Sequence, residues 1–192
     1  AVAIGVVEGA SRADLRLNVE DVQGLGARLI LEPRGGLSRA RNAGIAEAVA
    51  PVLFFTDDDC KLAEDAFEAL RRHNAALDPP YLIGGRVLQG DPQDRPLTLR
   101  LETMAELYTP DRPPGGFVPG CNFALHRRTL EEVGDFDESL GAGTVLRSGE
   151  DTDFTIRCHL AGIPVRYEPD IVVHHSHGRR TQEVVREVSL AY

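Results

Sequence analysis

The sequence lacks the features of several specialised protein classes. Its longest apolar runs, such as residues 51–55, have only the length of a strand, so we predict no membrane span. No basic, then apolar, then small-residue signal opens the chain, and export is therefore not predicted. The three cysteines (Cys60, Cys121 and Cys158) are scattered and odd in number, which favours reduced thiols in a cytoplasmic protein over disulfides.

Positive charge is also scarce, since 21 Lys and Arg residues stand against 30 Asp and Glu residues, for a net charge of −9. Nucleic-acid binders usually present a basic face, so a nucleic-acid partner is disfavoured. An acidic protein that binds a nucleotide diphosphate must offset the like-charge repulsion with a cation, local arginines or helix N-termini. The length of 192 residues suits a single domain, residues 1–192.

Apolar strand-like segments alternate with segments of helical periodicity, which predicts βαβ units. The predicted fold class is α/β, with a Rossmann-like, mixed but mostly parallel central sheet flanked by helices. Ser38 is predicted to cap the first clear helix, which Pro51 ends. Residues 88–119 are interpreted as a mobile excursion from the sheet. The other predicted elements are strands over residues 2–7, 27–31, 52–56, 81–87, 120–125 and 165–173, and helices over 63–77, 128–133 (short), 151–161, 178–192 (amphipathic), 14–24 (irregular) and 97–108.

Three consecutive carboxylates, Asp57, Asp58 and Asp59, directly follow a predicted buried strand. Ligands of open α/β sheets bind beyond the carboxyl ends of strands. Crowded carboxylates there favour a hard divalent cation, because Mg²⁺ and Mn²⁺ prefer oxygen ligands and bridge phosphate oxygens. A solvated loop that caps the next helix is the equally weighted alternative.

Two further clusters carry candidate chemistry. Glu150 and Asp151 open a helix, where they are either capping acids or, for one of them, a general base toward a hydroxyl nucleophile. His174, His175 and His177 directly follow a late predicted strand, a position from which an imidazole can bind a metal. On these residues alone, helix capping is favoured for Glu150 and Asp151. For the histidines, metal binding and the absence of any functional role are equally weighted.

The order of these pieces resembles family 2 glycosyltransferases, which have the fold called GT-A. The resemblance extends from about Val2 to His177, and no single motif is specific without the others. The segments that carry it are residues 6–11 (VVEGAS), 36–44 (GLSRARNAG), 55–59 (FTDDD), 120–124 (GCNFA), 133–138 (VGDFDE), 149–153 (GEDTD) and the histidine pair 174–175.

The resemblance implies transfer of a sugar, with inversion, from a nucleotide-diphosphate sugar to a hydroxyl of a glycan, lipid or small-molecule acceptor. Mn²⁺ or Mg²⁺ would be the cofactor. By position, Glu8 would contact the base, although the family usually has Asp there. Arg39 and Arg41 would lie near the base or diphosphate. Asp57, Asp58 and Asp59 would bind the metal, and Asp57 and Asp58 would also contact the donor. His174 or His175 would add a metal ligand. Asp151 would be the general base, with Glu150 beside it.

The chain departs from the family at its start, because family members begin with a strand and a helix before the segment that matches residues 2–11. From this we expect little transferase activity from the 192 residues alone, and an in-frame strand-helix segment upstream of Ala1. Without that first strand, one edge of the sheet would be unpaired, and a second copy of the chain could cover it, so a homodimer is an open alternative. Two functional alternatives also stay open, a metal-dependent nucleotidyltransferase and an inactive nucleotide-binding remnant.

Overall fold

A computed structural model of the chain describes residues 4–8 and 27–178. Within these residues the chain forms both strands and helices, as the sequence predicts, although the two types do not alternate strictly. The elements are β1 (Ile4–Glu8), β2 (Arg28–Glu32), α1 (Leu37–Glu47), β3 (Val52–Thr56), β4 (Cys60–Leu62), α2 (Ala66–Ala76), β5 (Leu82–Gln89), β6 (Glu106–Leu107), β7 (Asn122–His126), α3 (Arg127–Val133), α4 (Glu150–Leu160) and β8 (Val165–His175).

Two compact units contain these elements. The first comprises the described residues of Ala1–Ala50 and Asp135–Glu150, and the second those of Pro51–Gly134 and Asp151–Tyr192. The prediction of a single domain over residues 1–192 stays a prediction. No helix in the described part of the chain is long and apolar enough to cross a membrane.

The first unit is built on a parallel pair, β1 beside β2, with α1 packed on it. The prediction that Ser38 caps α1 is wrong. Gly36 is the N-cap residue, and Ser38 lies inside the helix, where it is fully buried. Its hydroxyl donates to the Leu140 carbonyl at 2.8 Å. The side chain of Ser38 therefore holds the segment 135–150 and does not accept from an amide at the start of the helix. The Leu37 amide is satisfied by the Ala142 carbonyl of the same segment.

The second unit contains a mixed sheet in the order β3-β7-β5-β8-β4, with β6 also paired to β8. β7 runs antiparallel to both β3 and β5, and β5 runs parallel to β8. Hence β3, β5 and β8 point the same way, and their carboxyl ends lie along one edge. The mixed α/β class agrees with the prediction. The core under α2 is apolar and consists of Ala69, Leu70, Tyr81, Ile83, Ala124 and Ile171.

The segment between β5 and β7 differs from the sequence prediction. A helix over residues 97–108 is wrong, because the backbone groups of this stretch pair with the sheet instead. Arg100 exchanges two backbone hydrogen bonds with Val87 of β5, and the Tyr108 amide donates to the Val165 carbonyl of β8. The three-residue strand β4 was not predicted. The predicted helix over 14–24, and the one over 178–192 apart from Gly178, lie outside the described residues.

Asn122 holds an irregularity between β5 and β8. The register shifts between Gly85 and Arg86, and the Asn122 amide donates to the carbonyls of Arg86 at 2.8 Å and Ile171 at 2.9 Å. Gly85 is required there, since a Cβ on it would lie 2.3 Å from the Asn122 amide nitrogen. This buried amide therefore fixes where β8 resumes its pairing toward His175.

We expect Asn122→Ala to lower the free energy of unfolding by about 2–5 kcal/mol, because two buried carbonyls lose their donor. Denaturant unfolding measures the change. Asn122→Asp keeps the size but lacks the amide protons, and it should be destabilised at least as much. A much milder effect of Asn122→Asp would show that packing, rather than the two hydrogen bonds, carries the loss.

Candidate functional site

The aspartate triplet forms a tight turn at the carboxyl end of β3. The Cys60 amide donates to the Asp57 carbonyl at 3.2 Å, which closes the turn into β4. The Ser176 amide donates to the Asp59 carbonyl at 2.9 Å, so the turn is fastened to the end of β8. The backbone thus brings the last aspartate to the predicted histidines.

Asp59 and His175 are in direct contact. Nε2 of His175 lies 3.1 and 3.2 Å from the two carboxylate oxygens of Asp59. The histidine side chain is only 8% exposed, whereas the aspartate side chain is 37% exposed. The pair therefore has one buried, fixed member and one member open to a ligand.

Thr98 sets the orientation of the His175 ring. Its hydroxyl donates to the Leu97 carbonyl at 2.7 Å and lies 3.0 Å from His175 Nδ1. A hydroxyl has one proton, so with that proton given to Leu97 it accepts from Nδ1–H. Nε2 is then the nitrogen directed at Asp59, and a proton or a divalent cation can lie between them. Thr98 adopts a left-handed φ of 53°, a conformation that few non-glycine residues adopt.

The same place offers three ligand atoms for a metal. Those of Asp59, Cys60 and His175 all lie within 4.8 Å of one another. Carboxylate oxygen and imidazole nitrogen both suit divalent metals, so the residues present fit the cofactor that the sequence implies. Sequence reasoning treated Cys60 only as a reduced thiol and missed it as a donor.

The other predicted metal ligands are placed differently. Side chains alternate along a strand, so His174 is on the opposite face of β8 from His175. Its register partners are Lys61 of β4 and Leu88 of β5. Asp57 is half-buried and Asp58 exposed, and neither is in the three-residue set. For Asp57 and Asp58, a role in binding the donor or the metal stays a prediction.

Glu150 is paired with Arg41 inside the first unit. The Arg41 guanidinium donates to the Glu150 carboxylate at 3.0 Å, and the two side chains are 6% and 9% exposed. The guanidinium also lies 5.4 Å from the ring centroid of Phe136. Buried charges usually need such a partner, so this pair has a structural role that the sequence prediction for either residue did not include.

Breaking this pair should destabilise the protein strongly. We expect Arg41→Met to lower the free energy of unfolding by about 3–5 kcal/mol, because Glu150 is left as an uncompensated buried charge. The double variant Arg41→Met, Glu150→Gln should regain most of that loss in urea unfolding. If Arg41→Met alone unfolds like the wild type but binds nucleotide weakly, Arg41 instead contacts the nucleotide-sugar donor, as the sequence predicts.

Asp151 is the second residue of α4 and is half-buried. Its Oδ1 accepts from the amide of Thr152 at 2.7 Å and lies 3.3 Å from the Thr152 hydroxyl. A helix N-terminus favours an ionised carboxylate. Asp151 is therefore held as an acceptor at the start of the helix, and its role as the catalytic base stays a prediction.

The two remaining donor-binding candidates lie in the first unit. Arg39 Nε donates to Glu138 at 2.8 Å, and this hydrogen bond lowers the pKa of the Glu138 carboxyl. Glu8 ends β1, opposite Glu32 of β2 in the parallel register. The donor contacts of Glu8 and Arg39 stay predictions.

Comparison with known proteins gives a consistent result. The family model described as Glycosyl transferase family 2 matches residues 2–134. The pre-mycofactocin glycosyltransferase of Mycobacterium tuberculosis (strain CDC 1551 / Oshkosh) is 29% identical over 155 residues, which cover 77% of this chain and 31% of that protein. The chain thus spans less than a third of the length of this curated relative.

Two solved structures are similar in fold. GalNAc-T7 with UDP, GalNAc and Mn²⁺ has a TM-score of 0.67 at 16% identity, over 92% of this chain and 38% of that one. The mannosyltransferase PcManGT from Pyrobaculum calidifontis, in complex with GDP-Man and Mn²⁺, has a TM-score of 0.62 at 18% identity, over 95% of this chain and 50% of that one.

Proposed function

The chain belongs to glycosyl transferase family 2 and has the GT-A fold, and from this premise we propose that it transfers a sugar from a nucleotide-diphosphate sugar to an acceptor hydroxyl with a divalent cation. The observation that carries the proposal is the contact between Asp59 and His175. It lies at the carboxyl ends of β3 and β8, where open α/β sheets bind their ligands. GalNAc-T7 and PcManGT, two structures similar in fold, each contain Mn²⁺ together with UDP or GDP-Man.

Asp59 and His175 would hold the cation, supported by the fixed ring orientation that Thr98 provides. A cation bound there would act as a Lewis acid toward the leaving diphosphate. It would also offset the repulsion between that anion and a chain of net charge −9. This combination of carboxylate and imidazole favours Mn²⁺ over Mg²⁺, which prefers oxygen ligands alone.

Asp151 would accept the proton of the acceptor hydroxyl as that oxygen attacks the anomeric carbon from the face opposite the diphosphate. This direction of attack inverts the configuration. Residues 88–119, which supply Thr98, would shape the acceptor side. Glu150 is less suited to the role of base, because its carboxylate already accepts from Arg41.

Product analysis tests the reaction class. Incubation of the full-length protein with a panel of UDP- and GDP-sugars, Mn²⁺ and candidate acceptors should release nucleoside diphosphate, and EDTA should stop the release. The nucleotidyltransferase alternative predicts pyrophosphate instead, from a nucleoside triphosphate and a sugar phosphate. Pyrophosphate as the product would overturn the proposal.

Thr98 provides a separate prediction. Thr98→Val removes the acceptor for His175 Nδ1–H, so we expect Mn²⁺ to bind about 10–100-fold more weakly, the usual cost of losing an outer-shell partner. Thr98→Ser retains the hydroxyl and should bind Mn²⁺ nearly as the wild type does. Electron paramagnetic resonance of free Mn²⁺ measures both. Equal weakening in Thr98→Ser would mean that the methyl group, and not the hydrogen bond, is what matters.

A further inference from the structure

Cys60 lies at the metal centre in a way that the family resemblance does not include. It is the first residue of β4 and the direct cross-strand partner of His175. Residues paired in this way project from the same face of a sheet, with Cβ atoms about 4.5–5.5 Å apart. The Cys60 sulfur lies 3.8 Å from Oδ1 of Asp59. The thiol is therefore directed to the same point as the carboxylate and the imidazole.

The set of ligand atoms is unusual for a hard cation. Sulfur, nitrogen and oxygen atoms within 4.8 Å of one another are three ligands of the kind that bind zinc. A fourth, open position completes a tetrahedral zinc centre. Thiolates select Zn²⁺ over Mg²⁺ and Mn²⁺, and the general affinity order also places Zn²⁺ above Mn²⁺.

The apolar surroundings hold the thiol in place. Cys60 is half-buried and packs, together with Phe54, Leu62 and Leu99, against a buried cluster that includes Val87 and Val173. A side chain that is packed on one side and near Asp59 on the other has little freedom to turn away from the centre.

We propose that Cys60, Asp59 and His175 together form a zinc-selective site. Zn²⁺ would bind all three side chains and displace Mn²⁺ from Asp59 and His175, which both ions use. This inference rests on the proposed function, because Asp59 and His175 are the ligands assigned there to the cation used in transfer. Cys60 would then determine metal selectivity. Free Zn²⁺ would act as an inhibitor that competes with Mn²⁺.

Cobalt provides the direct test, because a Co²⁺–thiolate bond gives a near-ultraviolet charge-transfer band. We expect Co²⁺ titration of the wild-type chain to produce this band and Zn²⁺ to abolish it. Cys60→Ser should bind Co²⁺ without the band. Cys158→Ser should keep the band, since Cys158 is buried in α4.

Competition measures the selectivity. The ratio of the Zn²⁺ Kd to the Mn²⁺ Kd, measured by displacement of one ion with the other, should rise at least about tenfold in Cys60→Ser. Urea unfolding confirms that the variant is folded. Wild-type protein that binds Mn²⁺ and Co²⁺ without a thiolate band would overturn this inference and leave the proposed function intact. Wild-type protein that binds neither ion would overturn both.

Discussion

Asp59→Asn is expected to bind Mn²⁺ at least about 100-fold more weakly than the wild type, a larger loss than that of an outer-shell partner. The substitution keeps the shape of the side chain but removes the charge that faces Nε2 of His175. Asp59 is 37% exposed, and its backbone contact with Ser176 is unaffected. The free energy of unfolding should therefore change by less than about 1 kcal/mol.

The neighbouring histidines give a matched pair for this prediction. His175→Gln should weaken Mn²⁺ binding as Asp59→Asn does, whereas His174→Gln, on the opposite face of β8, should not. Electron paramagnetic resonance titration with Mn²⁺ compares the three variants. Loss of binding in His174→Gln with retention in His175→Gln would reverse the assignment.

The second large effect is expected from Asp151→Asn in the full-length protein. A missing general base typically costs on the order of 10²–10⁴ in rate. Asparagine retains an oxygen that can accept from the Thr152 amide, so folding and donor binding should stay normal. We therefore expect turnover to fall while the Mn²⁺-dependent binding of donor remains unchanged.

Asp153→Asn is the control for Asp151→Asn. Asp153 lies in the same helix turn, and its carboxylate forms a half-buried i,i+4 pair with Arg157 at 2.8 Å. Such pairs contribute little, so turnover should remain near the wild-type rate. If Asp151→Asn also turns over at nearly that rate, Asp151 serves only as an acceptor for the Thr152 amide and the base is elsewhere, with Glu150 next to be tested.

The local elements of the fold could be predicted from the sequence because each has its own periodicity. β3 is predicted without error, and the aspartates that follow it are found at its carboxyl end. The prediction of a helix over residues 97–108 is wrong because the same residues are also compatible with an extended segment that pairs with a sheet. The backbone contacts of Arg100 and Tyr108 with β5 and β8 decide the outcome, and they are not local.

The candidate site was predictable only where the residues lie within a motif. Asp59 and His175 were named, but which histidine faces the aspartate depends on the register of β4 on β8. That register also makes Cys60 a ligand candidate. The pairing of Arg41 with Glu150 joins residues 109 positions apart, and Thr98 lies 77 positions from His175. Sequence spacing gives no signal for contacts of that range.

The most direct test of the account is thermal unfolding with a panel of UDP- and GDP-sugars, each with and without Mn²⁺, in the wild type and in Asp59→Asn. A ligand at 100 times its Kd stabilises the folded state by about 2.7 kcal/mol, which is readily detected as a rise in Tm. We predict that at least one nucleotide sugar raises the Tm of the wild type only when Mn²⁺ is present, and that Asp59→Asn loses this rise. A rise of equal size without Mn²⁺, or in Asp59→Asn, would contradict a metal-dependent donor site at Asp59 and His175.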